Sequence, residues 1–170
     1  MKLLKPNIYQ KDIFSINYDK LLKQNIKNLL FDIDNTISST KDKVPSKEVK
    51  ELFNNLKAKG FKVFIITNAL KKRATKFQES LNVKTYHFSM KPSPRNYNKL
   101  IKENNLKHNE CAAIGDQIYT DIKGANNLGI LSILVDPISN KEFITTKINR
   151  IKENKLINKT KIIKKGEYYE

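Results

Sequence analysis

The chain has 170 residues, 33 basic against 17 acidic, with a formal net charge of +16, 39% hydrophobic content and a lone cysteine, Cys111. That length fits one hydrophobic core and leaves little room for a second domain, so residues 1–170 are expected to form a single domain. One cysteine excludes an intramolecular disulfide and a cysteine-based zinc site, and no apolar run is long enough to cross a bilayer, so the chain is expected to be cytoplasmic or peripheral to a membrane.

In chain order, the stretch from Ile8 to Ile26 is apolar enough to pack on the domain rather than dangle. Asn28-Leu29-Leu30-Phe31 reads as a buried strand. Ser46 then predicts a helix N-cap, with Val49, Leu52, Phe53 and Leu56 at helical spacing and Gly60 as the stop. Residues 61–66 read as a strand, 69–81 as a helix and 83–88 as a short strand. Ser93-Pro94 predicts an N-cap with proline at the first helical position, ahead of Tyr97, Leu100 and Ile101. Cys111 to Ile114 reads as a strand, 120–128 as a helix ended by Gly129, and 130–135 as a buried strand. Such alternation predicts an α/β fold: a Rossmann-like, mostly parallel sheet with helices on both faces, its core spanning about residues 27–137. One helix and one strand use up each of the segments 37–66 and 68–90, so neither holds a cap domain. The carboxyl edge of the sheet should therefore stand open to solvent.

Two acidic turns carry the chemistry. Phe31-Asp32-Ile33-Asp34-Asn35-Thr36 and Gly115-Asp116-Gln117-Ile118-Tyr119-Thr120-Asp121 each follow an apolar, strand-like run. Strand alternation puts Asp32 and Asp34 on one side of the chain. Asp116 follows a glycine whose missing side chain permits a sharp turn and close approach to a ligand. A hard dication such as Mg2+ takes carboxylate, water and phosphate oxygens, which Asp32 and Asp116 can supply. Thr67 of Thr67-Asn68 and Lys91 of Met90-Lys91-Pro92 suit phosphate oxygens, the first by its hydroxyl and nearby backbone N–H groups, the second by its charge. Any one of these is also an ordinary turn residue, since aspartate caps helices and bonds its own backbone. Asp121 in particular reads equally well as an acid favoured by a helix dipole. Four such pieces in order after successive strands are harder to explain by turns alone. His87 and His108 have no metal-like spacing.

Taken together, Asp-x-Asp-x-Thr, Thr-Asn, Lys-Pro and Gly-Asp-Gln-x-x-Thr-Asp resemble the motifs of the haloacid dehalogenase (HAD) phosphohydrolase superfamily. More narrowly, they resemble its capless YqeG branch, whose relatives include phosphatidylglycerophosphate phosphatases. The likeness runs from about Pro6 to Arg150. It implies that Asp32 is the nucleophile that carries an aspartyl-phosphate, and that Asp34 is the general acid and base. It also implies that Asp32, the backbone carbonyl of Asp34 and Asp116 hold Mg2+, with Thr67, Asn68 and Lys91 at the phosphoryl oxygens. Asp121 would complete the metal's outer shell or position Lys91.

An open edge suits a phosphate presented on something large, and a lipid headgroup fits. The basic balance invites an anionic partner, although thirty lysines against three arginines argue against specific nucleic-acid readout. From 141 to 165 there are nine cations against two acids, interleaved with isoleucines and leucine. That segment reads as a helix packed on the sheet with a lysine face, compatible with reversible contact to an anionic membrane. The expectation is a Mg2+-dependent phosphomonoesterase acting on phosphatidylglycerophosphate. The alternatives are the same chemistry on nucleic-acid ends or soluble phosphate esters, and a non-enzymatic basic module bound to RNA or a ribosomal particle.

Overall fold

A computed structural model describes residues 2–139, 155 and 163–170. The basic helical segment expected over 141–165 thus falls almost wholly outside the described residues. Six strands form one parallel sheet in the order β1-β6-β5-β2-β3-β4: β1 (Ile8–Gln10), β2 (Asn28–Phe31), β3 (Lys62–Ile66), β4 (Lys84–Tyr86), β5 (Cys111–Gly115) and β6 (Leu131–Val135). Among the described residues the α-helices are α1 (Tyr18–Lys23), α2 (Lys47–Ala58), α3 (Lys71–Leu81), α4 (Arg95–Glu103) and α5 (Lys123–Asn126).

Strand alternation divides the core into two layers. Leu29 and Phe31 of β2, Val63 and Ile65 of β3, and Ala112 and Ile114 of β5 point to one face. Leu21 of α1, Phe53 of α2 and Phe77 of α3 cover them there. Leu30, Phe64, Ile66 and Ala113 point to the other face, under Tyr97, Leu100 and Ile101 of α4 and Ala125 of α5. Both faces are therefore buried, which is why the strands read as continuous apolar runs. Phe31 meets Phe53 with ring centroids 4.9 Å apart at the centre of the first layer.

Ser46 caps α2 as expected, its hydroxyl accepting from the Val49 N–H at 3.3 Å. Pro94 sits one place earlier than expected, at the N-cap of α4 itself, while the Ser93 hydroxyl accepts from the Arg95 N–H at 3.4 Å. The helix expected from Thr120 starts sooner, as a π-helical turn Ile118–Ile122 that runs into the short α5. Among the elements unrecognised in the sequence are α1 and the three-residue β1 that extends the sheet. Antiparallel bonds tie the outer edge of β1 to the chain's end, Tyr9 N–H to Tyr169 O at 2.8 Å and the reverse at 2.9 Å. That pairing protects an edge that would otherwise be open.

The chain leaves β2 toward β3 and β4, then returns to β5 on the other side of β2. Ligands of parallel α/β sheets lie outside the carboxyl ends of strands at such a reversal. Asp32 and Asp116 follow the two strands that flank it.

Candidate active site

Asp32 extends the ladder beyond β2, its N–H donating to Ile114 O at 2.9 Å, and this delivers its carboxylate beside β5. Asp32, Asp116 and Asp121 are all buried, with one oxygen from each lying within 4.8 Å of the others. Lys91 Nζ donates to Asp32 Oδ1 at 2.7 Å and to Asp121 Oδ1 at 2.5 Å, and only 2% of its side chain is exposed. The Thr36 hydroxyl donates to Asp116 Oδ1 at 3.4 Å. Burial alone would push the Lys91 ammonium toward neutrality, but Asp121 and Asp32 outweigh it and hold the charge well above the ordinary lysine range. Burial also pushes the Asp121 carboxyl up, against the pull of Lys91.

Charge and donor type fit a divalent metal. When ionised, three buried carboxylates meet a single buried ammonium, since Lys91 is the only fully buried lysine or arginine among the described residues. The excess of two negative charges and an all-oxygen donor set match a hard dication.

Asp34 stands apart from that cluster and turns to α3, where Arg73 Nε donates to its Oδ1 at 2.8 Å. Burial and then the neighbouring Asp32 raise the Asp34 pKa, with Arg73 opposing. A carboxyl that keeps its proton more readily than usual suits a general acid. Arg73 also donates through one terminal nitrogen to Ser39 O at 2.8 Å and through the other to Asp42 O, while its guanidinium stacks on Phe77 at 5.0 Å. One side chain therefore clamps Asp34 and the loop after β2 onto α3. In Arg73→Met, kcat should fall about tenfold to a hundredfold through lost positioning. With the opposing charge gone, Asp34 should hold its proton to higher pH. The descending limb of the pH–rate profile should then move upward, which steady-state kinetics across pH will read.

Thr67 follows β3 and is fully buried, and its hydroxyl accepts from the Ala69 N–H at 3.2 Å. The Asn68 side chain is engaged with the loop that carries Lys91: its Oδ1 accepts from Lys91 N–H at 2.8 Å and its Nδ2 donates to Lys91 O at 3.4 Å. It thus braces the backbone of the lysine. Cys111 is buried within β5 and its thiol is pushed up to about 12, so it is chemically quiet. The two histidines lie outside the cluster.

Gly115 has a different reason from the sharp turn expected of it. A Cβ there would fall within 2.5 Å of the Asp121 Cβ, so the missing side chain makes room for a buried carboxylate. Gly115→Ala should cost about 1–3 kcal/mol by overpacking and should lower activity as Asp121 is pushed off Lys91. Chemical denaturation and an initial-rate assay will check both.

Arg73 was missed in the sequence, Thr36 entered only as the threonine of the Asp-x-Asp-x-Thr motif with no role of its own, and Asp121 was ranked below the other acids. For Arg73 a signal existed: arginine is scarce in this lysine-rich chain, and its planar fork holds a carboxylate and two carbonyls where lysine cannot.

A family model described as haloacid dehalogenase-like hydrolase matches residues 40–129. The chain is 31% identical to the probable phosphatase YqeG of Bacillus subtilis over 94% of its own length and 93% of the relative's. It is 22% identical to phosphatidylglycerophosphate phosphatase 1 of Arabidopsis thaliana over 86% of this chain, which spans 45% of the plant protein. The crystal structure of an uncharacterized protein from Listeria monocytogenes serotype 4b shares the fold, with a TM-score of 0.53 and 17% identity over 71% of this chain and 88% of that one. A parallel sheet with paired acidic turns at its reversal, matched by sequence across nearly the whole chain, places this protein among the haloacid dehalogenase-like hydrolases, as a phosphatase of the YqeG branch.

Proposed function

We propose that the chain is a Mg2+-dependent phosphomonoesterase that works through an aspartyl-phosphate on Asp32, with phosphatidylglycerophosphate as substrate and phosphatidylglycerol as product. The observation that carries the reading is Lys91 Nζ bridging Asp32 and Asp121 in a buried carboxylate cluster, with Asp34, raised in pKa, two residues from Asp32. In the first step an Asp32 carboxylate oxygen attacks phosphorus, and the departing alkoxide takes the Asp34 proton. In the second, water gives a proton to Asp34, attacks the same phosphorus, and releases inorganic phosphate and free Asp32. Lys91 and the Thr67 hydroxyl would hold the phosphoryl oxygens, while Asp121 positions the lysine. Asp32, Asp116 and the Asp34 backbone carbonyl would hold Mg2+, whose charge lowers the repulsion between carboxylate and phosphate.

Three features support a lipid headgroup as substrate: similarity to the plant phosphatidylglycerophosphate phosphatase, the absence of an inserted cap among the described residues, and the basic balance of the chain. Among the described residues no helix is long and apolar enough to cross a membrane, so the lipid would be met at its surface. Hydrolysis of phosphatidylglycerophosphate vesicles, phosphorylated oligonucleotides and small sugar phosphates, each with and without Mg2+, tests this. Turnover of the vesicles, lost without Mg2+, is expected. Turnover of only the other two would overturn the lipid reading and keep the chemistry.

A further inference from the structure

We propose that the carboxyl edge of the sheet, around the carboxylate cluster, is itself a docking surface for an anionic lipid bilayer, with Phe14, Val44 and Ile138 as one apolar contact and Leu70, Phe88 and Met90 as the other. All six are exposed, and all lie in loops that follow carboxyl ends of strands: β1, β2 and β6 for the first three, β3 and β4 for the others. Among the described residues only two large hydrophobic side chains are exposed elsewhere, Leu3 and Tyr168. Scattered exposed hydrophobics are ordinary, but their concentration on one edge is not. The first group adjoins Asp34, where the Ile138 N–H donates to Asn35 O at 3.0 Å, and the second adjoins Arg73, whose N–H donates to Leu70 O at 3.0 Å, so a surface touching both would lie across the proposed site.

The local backbone is arranged to present these side chains. Phe88 and Met90 adopt left-handed φ values of 46° and 51°, costly for bulky residues, while Ser89 between them is buried and its hydroxyl donates to Tyr86 O at 2.8 Å. The loop is thus pinned with both apolar residues outward, 59% and 62% exposed. Leu70, 70% exposed, occupies the N-cap of α3 without a capping bond, and Lys71 and Lys72 follow in a first turn that holds no acid. An apolar cap and cations at the positive end of a helix disfavour the isolated helix. Beside an anionic leaflet both become favourable. On the other flank, a groove of about 720 Å³ between Phe14, Val44, Pro45 and Ile138 gives the apolar contact depth.

Charge selects the occupant. Lys11, Lys41, Lys43, Lys71, Lys72 and Arg95 are exposed along the same edge. Its acids outside the buried cluster are engaged locally: Asp12 accepts from the Phe14 and Ser15 N–H groups, Asp42 from Ser38 and Ser39, Asp34 from Arg73, and Asp136 from the Tyr9 and Tyr168 hydroxyls. Protein interfaces are depleted in lysine, whereas apolar side chains set among lysines match an anionic interface.

This inference rests on the lipid reading above for its purpose, and its test is separate from it. The full chain is co-sedimented with vesicles of phosphatidylcholine alone and of equimolar phosphatidylcholine and phosphatidylglycerol, at low and high salt. The parent should bind the anionic vesicles and be released by salt. A Leu70→Ser, Phe88→Asn double variant should bind at least about tenfold more weakly. Serine supplies α3 with a true N-cap and asparagine tolerates left-handed φ, so the variant's Tm should not fall below the parent's. Equal vesicle binding by parent and variant would overturn the proposal and assign attachment to another surface. Failure of the parent to bind anionic vesicles, or equal binding to both vesicle types, would overturn it too. Anionic binding lost in the variant, together with no hydrolysis of phosphatidylglycerophosphate, would leave the docking surface standing and sink only the substrate reading.

Discussion

Asp32→Asn will lower phosphatase activity by about four orders of magnitude or more, because the amide cannot donate an electron pair to phosphorus as a carboxylate does. The fold will survive the change. The amide keeps the shape of the carboxylate it replaces, and Lys91 retains Asp121 at 2.5 Å as its partner. Removing one negative charge from a cluster that carries an excess also relieves repulsion, so without metal the variant's Tm should equal or exceed the parent's. With Mg2+ the order should reverse under the proposed coordination: the parent would gain stability by binding the ion in its folded state, and the variant, short of one proposed ligand, would gain less. Thermal unfolding with and without Mg2+, beside an activity assay, separates a chemical role for Asp32 from a structural one. Residual activity near the parent's level would remove Asp32 as the nucleophile.

Lys91→Met carries the second large effect, this time on stability. Lys91 is the only fully buried lysine or arginine among the described residues, and its loss leaves buried carboxylates uncompensated, at a cost of about 3–5 kcal/mol near neutral pH. The pH dependence should invert locally. In the parent, the Lys91 pKa is raised above its ordinary value, so its contribution is fully present below the ordinary lysine range and is lost only as pH rises through the folded value. In the variant, Asp121 is freed from the lysine's pull while burial still raises its pKa. A raised folded carboxyl contributes stability at low pH that is lost as pH rises through it. Urea unfolding at about pH 5 and about pH 8 should show Lys91→Met recovering part of its deficit on the acid side. Added Mg2+ should also stabilise the variant strongly by supplying the missing positive charge. A deficit that is the same at both pH values would mean that the cluster is not ionised as described.

How far the sequence revealed the molecule depended on whether a residue's neighbours lie along the chain or across the fold. The strands β2, β3, β5 and β6 were legible because each is an apolar run buried on both faces, which only a sheet covered by helices on both sides permits. Asp32 and Asp116 were legible for the same reason, as acids at the ends of those runs. β1 was not, since three residues carry too little pattern and its strand character comes from pairing with β6 and with Tyr169. Asp121 was ambiguous because a carboxylate in the first turn of a helix has a sufficient local explanation. What decides its role is Lys91, thirty positions away, and the gap at Gly115. Arg73 belongs to the same class: among lysines at the start of α3 it reads as one more surface cation until the loop after β2 folds against it. Asn68 belongs to that class as well, since only the fold shows its side chain bonded to the backbone of Lys91, twenty-three positions away.

Acid quenching of a single turnover with radiolabelled phosphomonoester, followed by mapping of the label to a peptide, tests the central claim most directly. The phosphoryl group should be recovered on the peptide that contains Asp32, in a base-labile linkage, with Mg2+ present and not in its absence. Recovery of the label on any other residue would contradict the account, as would rapid turnover that deposits none on the protein.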